Sequence, residues 1–203
     1  MRHLLKRIVP AGLRPILGNQ VYNVYSQSLA SEPSGNALSG YDVSVVDKAT
    51  KYQELLACGY DFSYYPEKES IERGLDAGAI VICIFANKEL AHTSWVSASS
   101  EQSIYDSIFV SGIFAKPKQG FIGPCNTYPR HRGRGLYPFA IALASSLLKG
   151  KGAQAVLINT RANNASSIRG ILKNKFTLSA KVRFIYVLGK KMTFVSENKK
   201  AIE

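Results

Sequence analysis

Long apolar runs are missing from this 203-residue chain, and no stretch approaches the roughly 20 residues needed to span a bilayer. Cysteine is scarce as well. Cys58, Cys83 and Cys125 are an odd number with no C-x-x-C pair. That argues against a disulfide framework and against a zinc site, so no metal is expected, and it fits a reducing, cytoplasmic setting. Internal repeats and long low-complexity tracts are also absent. A further absence is of acids: residues 107–196 contain none, against fifteen Lys and Arg. Residues 1–20 carry four basic groups and no acid, whereas 21–106 hold twelve acids and five basic groups. The net charge of +12 is therefore concentrated in the C-terminal half, whose field attracts anions. Nucleic acid, a polyphosphate cofactor and a membrane surface all qualify.

What is present suffices for one domain with an appendage. Hydrophobic residues make up 46% of the chain and charged residues 20%, enough for a packed core. The opening MRHLLKRIVPAGLRPIL is basic and partly apolar, and Pro10 and Pro15 cut it short. It reads as an amphipathic helix on the domain surface, with contact to an anionic membrane face as its other use. Ser28 to Gly40 is rich in Ser, Gly, Pro and Asn and reads as a linker. Residues 1–40 are thus expected to form a basic segment and linker, and 41–203 the domain.

Within that domain, YDVSVVD has strand alternation. KATKYQELLACGY has helical spacing with Asp47 placed to cap it, and PEKESIERGLDAG suits a second helix. A hairpin follows, Ala79–Ala86 and Leu90–Ser97 around Asn87-Lys88, then strands over 107–114 and Gly120–Tyr128. LYPFAIALASSLLKGKG is a helix starting close to Gly135, because Pro138 is tolerable only in a first turn. AQAVLINT is a strand, NNASSIRGILKNKF a short helix, and VRFIYVLGKKMTFV a strand pair. The order describes an α/β arrangement around a mixed sheet.

The junction PRHRGRGLYPF, Pro129 to Phe139, concentrates three arginines and two glycines between a strand and a helix. Gly133 and Gly135 allow positive φ and close approach of a ligand to the main chain. Backbone N–H groups in such a turn converge on an anion, and the following helix adds its unpaired donors and positive dipole end. Arg130, Arg132 and Arg134 add charge. The combination suits a pyrophosphate.

PRHRGRGL resembles the acyl-CoA pyrophosphate loop of the GNAT superfamily, Q/R-x-x-G-x-G/A, with Arg130, Gly133 and Gly135 at its defined positions. A second segment, Asn164 to Phe176, is similar to the family's N-x-x-S-I-x-x-x-x-K-x-G-F through Asn164, Ser167, Ile168, Lys173 and Phe176, with Lys175 replacing the usual glycine. The resemblance covers roughly residues 118–190. It implies a mixed, mostly antiparallel central sheet flanked by helices, and an acyl-CoA-dependent N-acyltransferase using acetyl-CoA. The pyrophosphate would lie on Arg132, Gly133, Arg134, Gly135 and the helix start at Leu136, with Arg130 filling a motif position. The pantetheine arm would pair with Cys125, Asn126 and Thr127 and meet Asn164 and Ser167.

The chain departs from the family where chemistry is concerned. GFIGPCNTY lacks the glutamate that many relatives carry on this strand, and Ile171 stands where many place a tyrosine. His92 is the substitute base, since histidine titrates in the useful range; a hydrogen-bonded sheet histidine is its structural counterpart. Tyr128 is the substitute acid for the leaving thiolate. Cys125 as an acyl-carrying nucleophile, or as a small core residue, is the third option. Tyr137 reads as packing, His131 as exposed on the loop, and Trp95 as core. Tyr60, Phe62, Tyr64 and Tyr65 would border the acceptor. The implied acceptor is a primary amine of a small molecule, an amino sugar being the leading class. A protein N-terminus or lysine is the alternative, suited to the acidic 21–106 segment. A CoA-binding protein without transfer, or a nucleic-acid module, are the rivals. The last lacks a reading motif and interleaved aromatics, so no nucleic acid is expected.

Overall fold

The computed structural model describes residues 17–29, 38–63, 68–98, 117–187 and 190–198. Residues 1–16 of the basic opening, 30–37 of the linker, Tyr64, Tyr65 and the strand expected over 107–114 lie outside them. The described strands are β1 (Leu17–Ser28), β2 (Asp42–Val46), β3 (Ile80–Ala86), β4 (Glu89–Ala98), β5 (Gln119–Thr127), β6 (Ala155–Arg161), β7 (Thr177–Val187) and β8 (Lys190–Glu197). The helices are α1 (Ala49–Ala57), α2 (Lys68–Asp76), α3 (Leu136–Gly150) and α4 (Ala165–Lys173).

The strands form one sheet in the order β2-β3-β4-β5-β6-β1-β7-β8. Every neighbouring pair is antiparallel except β5 and β6. A parallel pair needs a crossover, and α3 supplies it. The mixed, mostly antiparallel sheet with flanking helices is the architecture expected from the sequence.

Alternation along β3 sorts the two cores. Ile80, Ile82 and Ile84 face one side, while Val81, Cys83 and Phe85 face the other. The first side is covered by α3, which contributes Leu136, Ala140, Ile141, Ala144 and Leu148 at helical spacing, and by Ile171 of α4. The second side is covered by α1 and α2 through Tyr52, Ile71 and Leu75, joined by Phe62 and Trp95. Trp95 is therefore core, as expected. Phe62 is core too: it is fully buried edge-to-face against Tyr52 and Phe85, and does not border an acceptor space. The N-cap of α1 is Lys48 rather than Asp47, and no side chain caps it. Among the described residues no helix is long and apolar enough to cross a membrane.

Strand β1 falls in the segment expected to precede the domain, yet it lies between β6 and β7. Tyr25 pairs with Ile158 on one side and Val24 with Ala180 on the other. Its polar residues conceal it in the sequence and find partners only in the fold. Asn23 donates from Nδ2 to the Tyr25 hydroxyl at 3.2 Å, and Gln27 donates from Nε2 to the Asn174 carbonyl at 2.6 Å.

Asn174 is the C-cap of α4, and Lys175 follows with φ 61°. A lysine in the left-handed region carries a Cβ penalty of roughly 1–2 kcal/mol, partly offset in any glycine replacement by the greater freedom glycine loses on folding. Lys175→Gly should therefore stabilise the fold by about 0.5–1 kcal/mol. Chemical denaturation would show this as a higher midpoint; an unchanged or lower midpoint would contradict it.

Candidate functional site

Parallel pairing of β5 with β6 runs only from Gln119↔Ala155 to Ile122↔Ile158. Beyond Ile122, β5 stays with β4, matching Cys125 to Ser94, Asn126 to Thr93 and Thr127 to His92. Pro124, in a cis peptide with Gly123, has no N–H to give to a ladder, and the β4–β5 register shifts at this point. The two strands thus part, and the backbone edge of β5 facing β6 is left for water or a ligand. The resulting cleft has a volume of about 670 Å³. Cys125, Asn126, Thr127, Arg132, Gly133, Gly135 and Leu136 line it from β5 and the loop; Asn164, Ser167, Arg169 and Lys173 line it from α4 and its start.

The loop is built as its composition suggested. Gly133 and Gly135 have φ of 77° and 79°, a conformation that other residues resist. Gly135 is the N-cap of α3 and offers no side chain to the first-turn N–H groups. Those donors and the dipole end meet the cleft together, a fit for phosphate oxygens. The arginines divide. Arg132 donates from Nε to the Thr127 carbonyl at 3.0 Å, which holds its guanidinium at the cleft. Arg130 is ion-paired with Glu89, and Arg134 donates to the Tyr41 hydroxyl at 3.3 Å; neither lines the cleft.

Several side chains depart from their expected places. His131 is buried rather than exposed, 7% accessible, with its ring edge-to-face against Tyr41. Burial and the flanking Arg130 and Arg134 hold its pKa below the ordinary histidine value. Tyr128 follows Thr127 in extended backbone, so alternation turns it to the opposite sheet face. It packs with Trp95 in the α1–α2 core and does not reach the cleft, which removes the geometry for a thiolate acid.

His92 lies on the cleft side of β4 but is fully buried. Its Nδ1 bonds the Thr127 hydroxyl at 2.7 Å and its Nε2 the Ser94 hydroxyl at 2.7 Å. Ser94 in turn hydrogen-bonds Cys125. Burial lowers the His92 pKa to about 3, so the ring is neutral and behaves as the hydrogen-bonded sheet histidine. Burial pushes the Cys125 thiol up to about 12, which leaves little thiolate for nucleophilic attack.

Sequence reasoning passed over Tyr137, which lines the cleft. Its hydroxyl shares a 2.9 Å hydrogen bond with Ser167, and burial raises its pKa above the ordinary phenol value. Gly170 makes room for it: a Cβ there would lie 2.6 Å from the tyrosine ring. Asn164 caps α4, accepting from the Ser167 N–H at 3.2 Å, so its carbonyl is used locally. Arg169 and Lys173 were also passed over as cleft residues. Their spacing with Ser166, three and four residues apart, is the signal that puts them on one helix face.

No family model matches the chain, and no curated protein matches it. Solved structures do. A putative acetyltransferase of the GNAT family from Novosphingobium aromaticivorans matches with a TM-score of 0.52 at 15% identity, over 89% of this chain and 68% of that one. A GCN5-related N-acetyltransferase from Sphaerobacter thermophilus matches with a TM-score of 0.55 at 11% identity, over 95% of this chain and 59% of that one. The third is described as a GCN5-related glucosamine N-acetyltransferase region in a fungal multi-domain GH3 β-N-acetylglucosaminidase. Its TM-score is 0.56 at 11% identity, over 82% of this chain and 21% of that one. The chain therefore spans less than two thirds of the second and about a fifth of the third. At such identities the likeness is one of fold.

Two outcomes follow from this geometry. Gly133→Val places a β-branched residue at φ 77° and should remove anion binding at the loop while the cores stay intact. Isothermal titration with CoA, beside a thermal melt, checks both halves; normal affinity would mean the loop is not the contact. The second concerns acid. Because His92 is depressed in the fold, its contribution is present above pH about 6.5 and is lost as pH falls toward 3, where the unfolded chain has already taken up the proton. His92→Gln should flatten the slope of unfolding free energy against pH in that window; an unaltered slope would assign the acid sensitivity elsewhere.

Proposed function

We propose that this chain, whose fold is that of the GNAT acetyltransferases, is an acyl-CoA-dependent N-acyltransferase that moves an acetyl group from acetyl-CoA to a primary amine of a small molecule. One observation carries this reading. The parted β5–β6 edge, the Gly133–Gly135 loop and the open start of α3 all face a single cleft. Their donor set fits an elongated thioester with a diphosphate at one end. The loop N–H groups and Arg132 would hold the diphosphate, and the Cys125–Thr127 edge would pair with the amide arm. Asn164 keeps its amide nitrogen for the same arm.

Bound there, acetyl-CoA would supply an activated carbonyl on a thiolate leaving group. The chain's own part is to orient the arm and manage protons. Tyr137 keeps its phenol proton at neutral pH because burial opposes ionisation. Its hydroxyl and that of Ser167 would form the proton-holding pair in the cleft and serve as the acid in place of Tyr128. His92 would position rather than titrate, fixing Thr127 and, through Ser94, Cys125. Among the described residues no carboxylate lines the cleft, so the ammonium proton of an amine would leave through water or the His131 imidazole at its edge.

An amino sugar is the first acceptor to test, supported by the neighbour described as a glucosamine N-acetyltransferase region. A cationic peptide is the second, supported by the acid-rich 21–106 segment. The experiment is a thermal shift with acetyl-CoA followed by free-thiol release across amines, amino sugars and peptides. A shift together with release on one acceptor class supports the proposal. No shift at saturating acetyl-CoA would sink the donor reading, and a shift with no release on any acceptor would leave a binding protein. Tyr137→Phe should lower release by about 10²–10⁴ while acetyl-CoA affinity holds.

A further inference from the structure

The cleft carries cations on both banks, and the loop bank explains only one of them. A diphosphate engages the Gly133–Gly135 turn and Arg132. Across the cleft, Arg169 and Lys173 stand one helical turn apart on α4, exposed and lining the same space. Among the described residues neither has a carboxylate or hydrogen-bond partner. None is available nearby in sequence, since α3, β6, α4 and β7 all lie within the acid-free 107–196 span. Lys173 in the last turn of α4 has an ordinary explanation in the helix dipole, but mid-helix Arg169 does not.

The two banks are also held in register. Tyr137 and Pro138, in the first turn of α3, are tied to α4 by three contacts. The Tyr137 hydroxyl meets Ser167, the Tyr137 ring fills the space that Gly170 leaves, and Asn174 donates from Nδ2 to the Pro138 carbonyl at 3.0 Å. Gln27 of β1 holds the Asn174 carbonyl from the other side. The helix that begins at the phosphate loop and the helix that carries Arg169 and Lys173 are therefore braced at the cleft. A ligand with two separate anionic groups would meet two separate sets of cations at a set distance.

We infer that Arg169 and Lys173 form a second phosphate subsite, which takes the 3′-phosphate of the CoA donor. This rests on the donor reading above. The protein accordingly selects 3′-phosphorylated CoA thioesters over donors with the same pantetheine and diphosphate but no third phosphate. A phosphate monoester is close to a dianion at neutral pH, and two unpaired cations suit it.

The test is isothermal titration of the wild-type chain and of Arg169→Gln/Lys173→Gln with CoA and with 3′-dephospho-CoA at low salt. The wild type should bind CoA about tenfold more tightly than dephospho-CoA, a modest ratio because both cations are exposed to solvent. The preference should shrink as salt is added. The double variant should bind the two ligands equally, at the wild-type affinity for dephospho-CoA. Equal affinities in the wild type, or a preference that survives in the double variant, would overturn the subsite while leaving the donor reading in place. Binding of neither ligand by the wild type would overturn the donor reading and the subsite with it. Both substitutions are on an exposed helix face, so a thermal melt should match the wild type. Should the double variant fail to fold, Lys173→Gln alone must lose part of the CoA preference, and an unaltered ratio there would overturn the subsite.

Discussion

The site depends on the point at which β5 and β6 stop pairing. Parallel strands joined through a helix are held together by a ladder that here ends after Ile122↔Ile158. From there β5 is kept by β4 and β6 by β1, so each strand remains anchored on its far side while the near sides separate. The unpaired edge is tolerable because it faces a cleft rather than a packed core. The crossover helix must start where the strands part, so the phosphate-type loop and the open backbone edge are brought to the same place by topology.

A second constraint concerns charge. Cations lining a cleft stay available where no carboxylate competes for them, and the acid-free span supplies β5, α3, β6, α4 and β7. All acids of the chain lie outside that span; Glu89 of β4 engages Arg130 and draws it away from the cleft. The price is a chain unable to provide a carboxylate base from these elements. The cleft instead presents hydroxyls, and burial raises the pKa of the Tyr137 phenol above its ordinary value.

Some of this was legible residue by residue. Gly133 and Gly135 declared the loop through their backbone requirement, Pro138 fixed the start of α3 to within a residue, and the unbroken apolar run of β3 marked a buried strand. Asn164 and Ser167 were singled out by the resemblance of their segment to the family's, and both line the cleft. Other features were not readable. Strand β1 looks too polar for a central strand, and the partner of Gln27, the Asn174 carbonyl, lies far away in the chain. The face taken by Tyr128 follows from a strand register that no local pattern reveals, and the burial of His131 follows from Tyr41 lying across it. Tyr137 resembled a packing residue because its hydroxyl partner lies thirty positions away.

By itself the sequence determined the properties that act locally: where backbone must turn left-handed, where helices begin and end, which strands are apolar on both sides, and which half of the chain attracts anions. Those depend on steric limits, periodicity and charge, which operate within a few residues or do not depend on position at all. Tertiary structure alone decided which strand fills the slot between β6 and β7, which face Tyr128 and His92 take, and which hydroxyls and cations share the cleft. These are matters of register and long-range contact, where the energy comes from partners that chain separation hides.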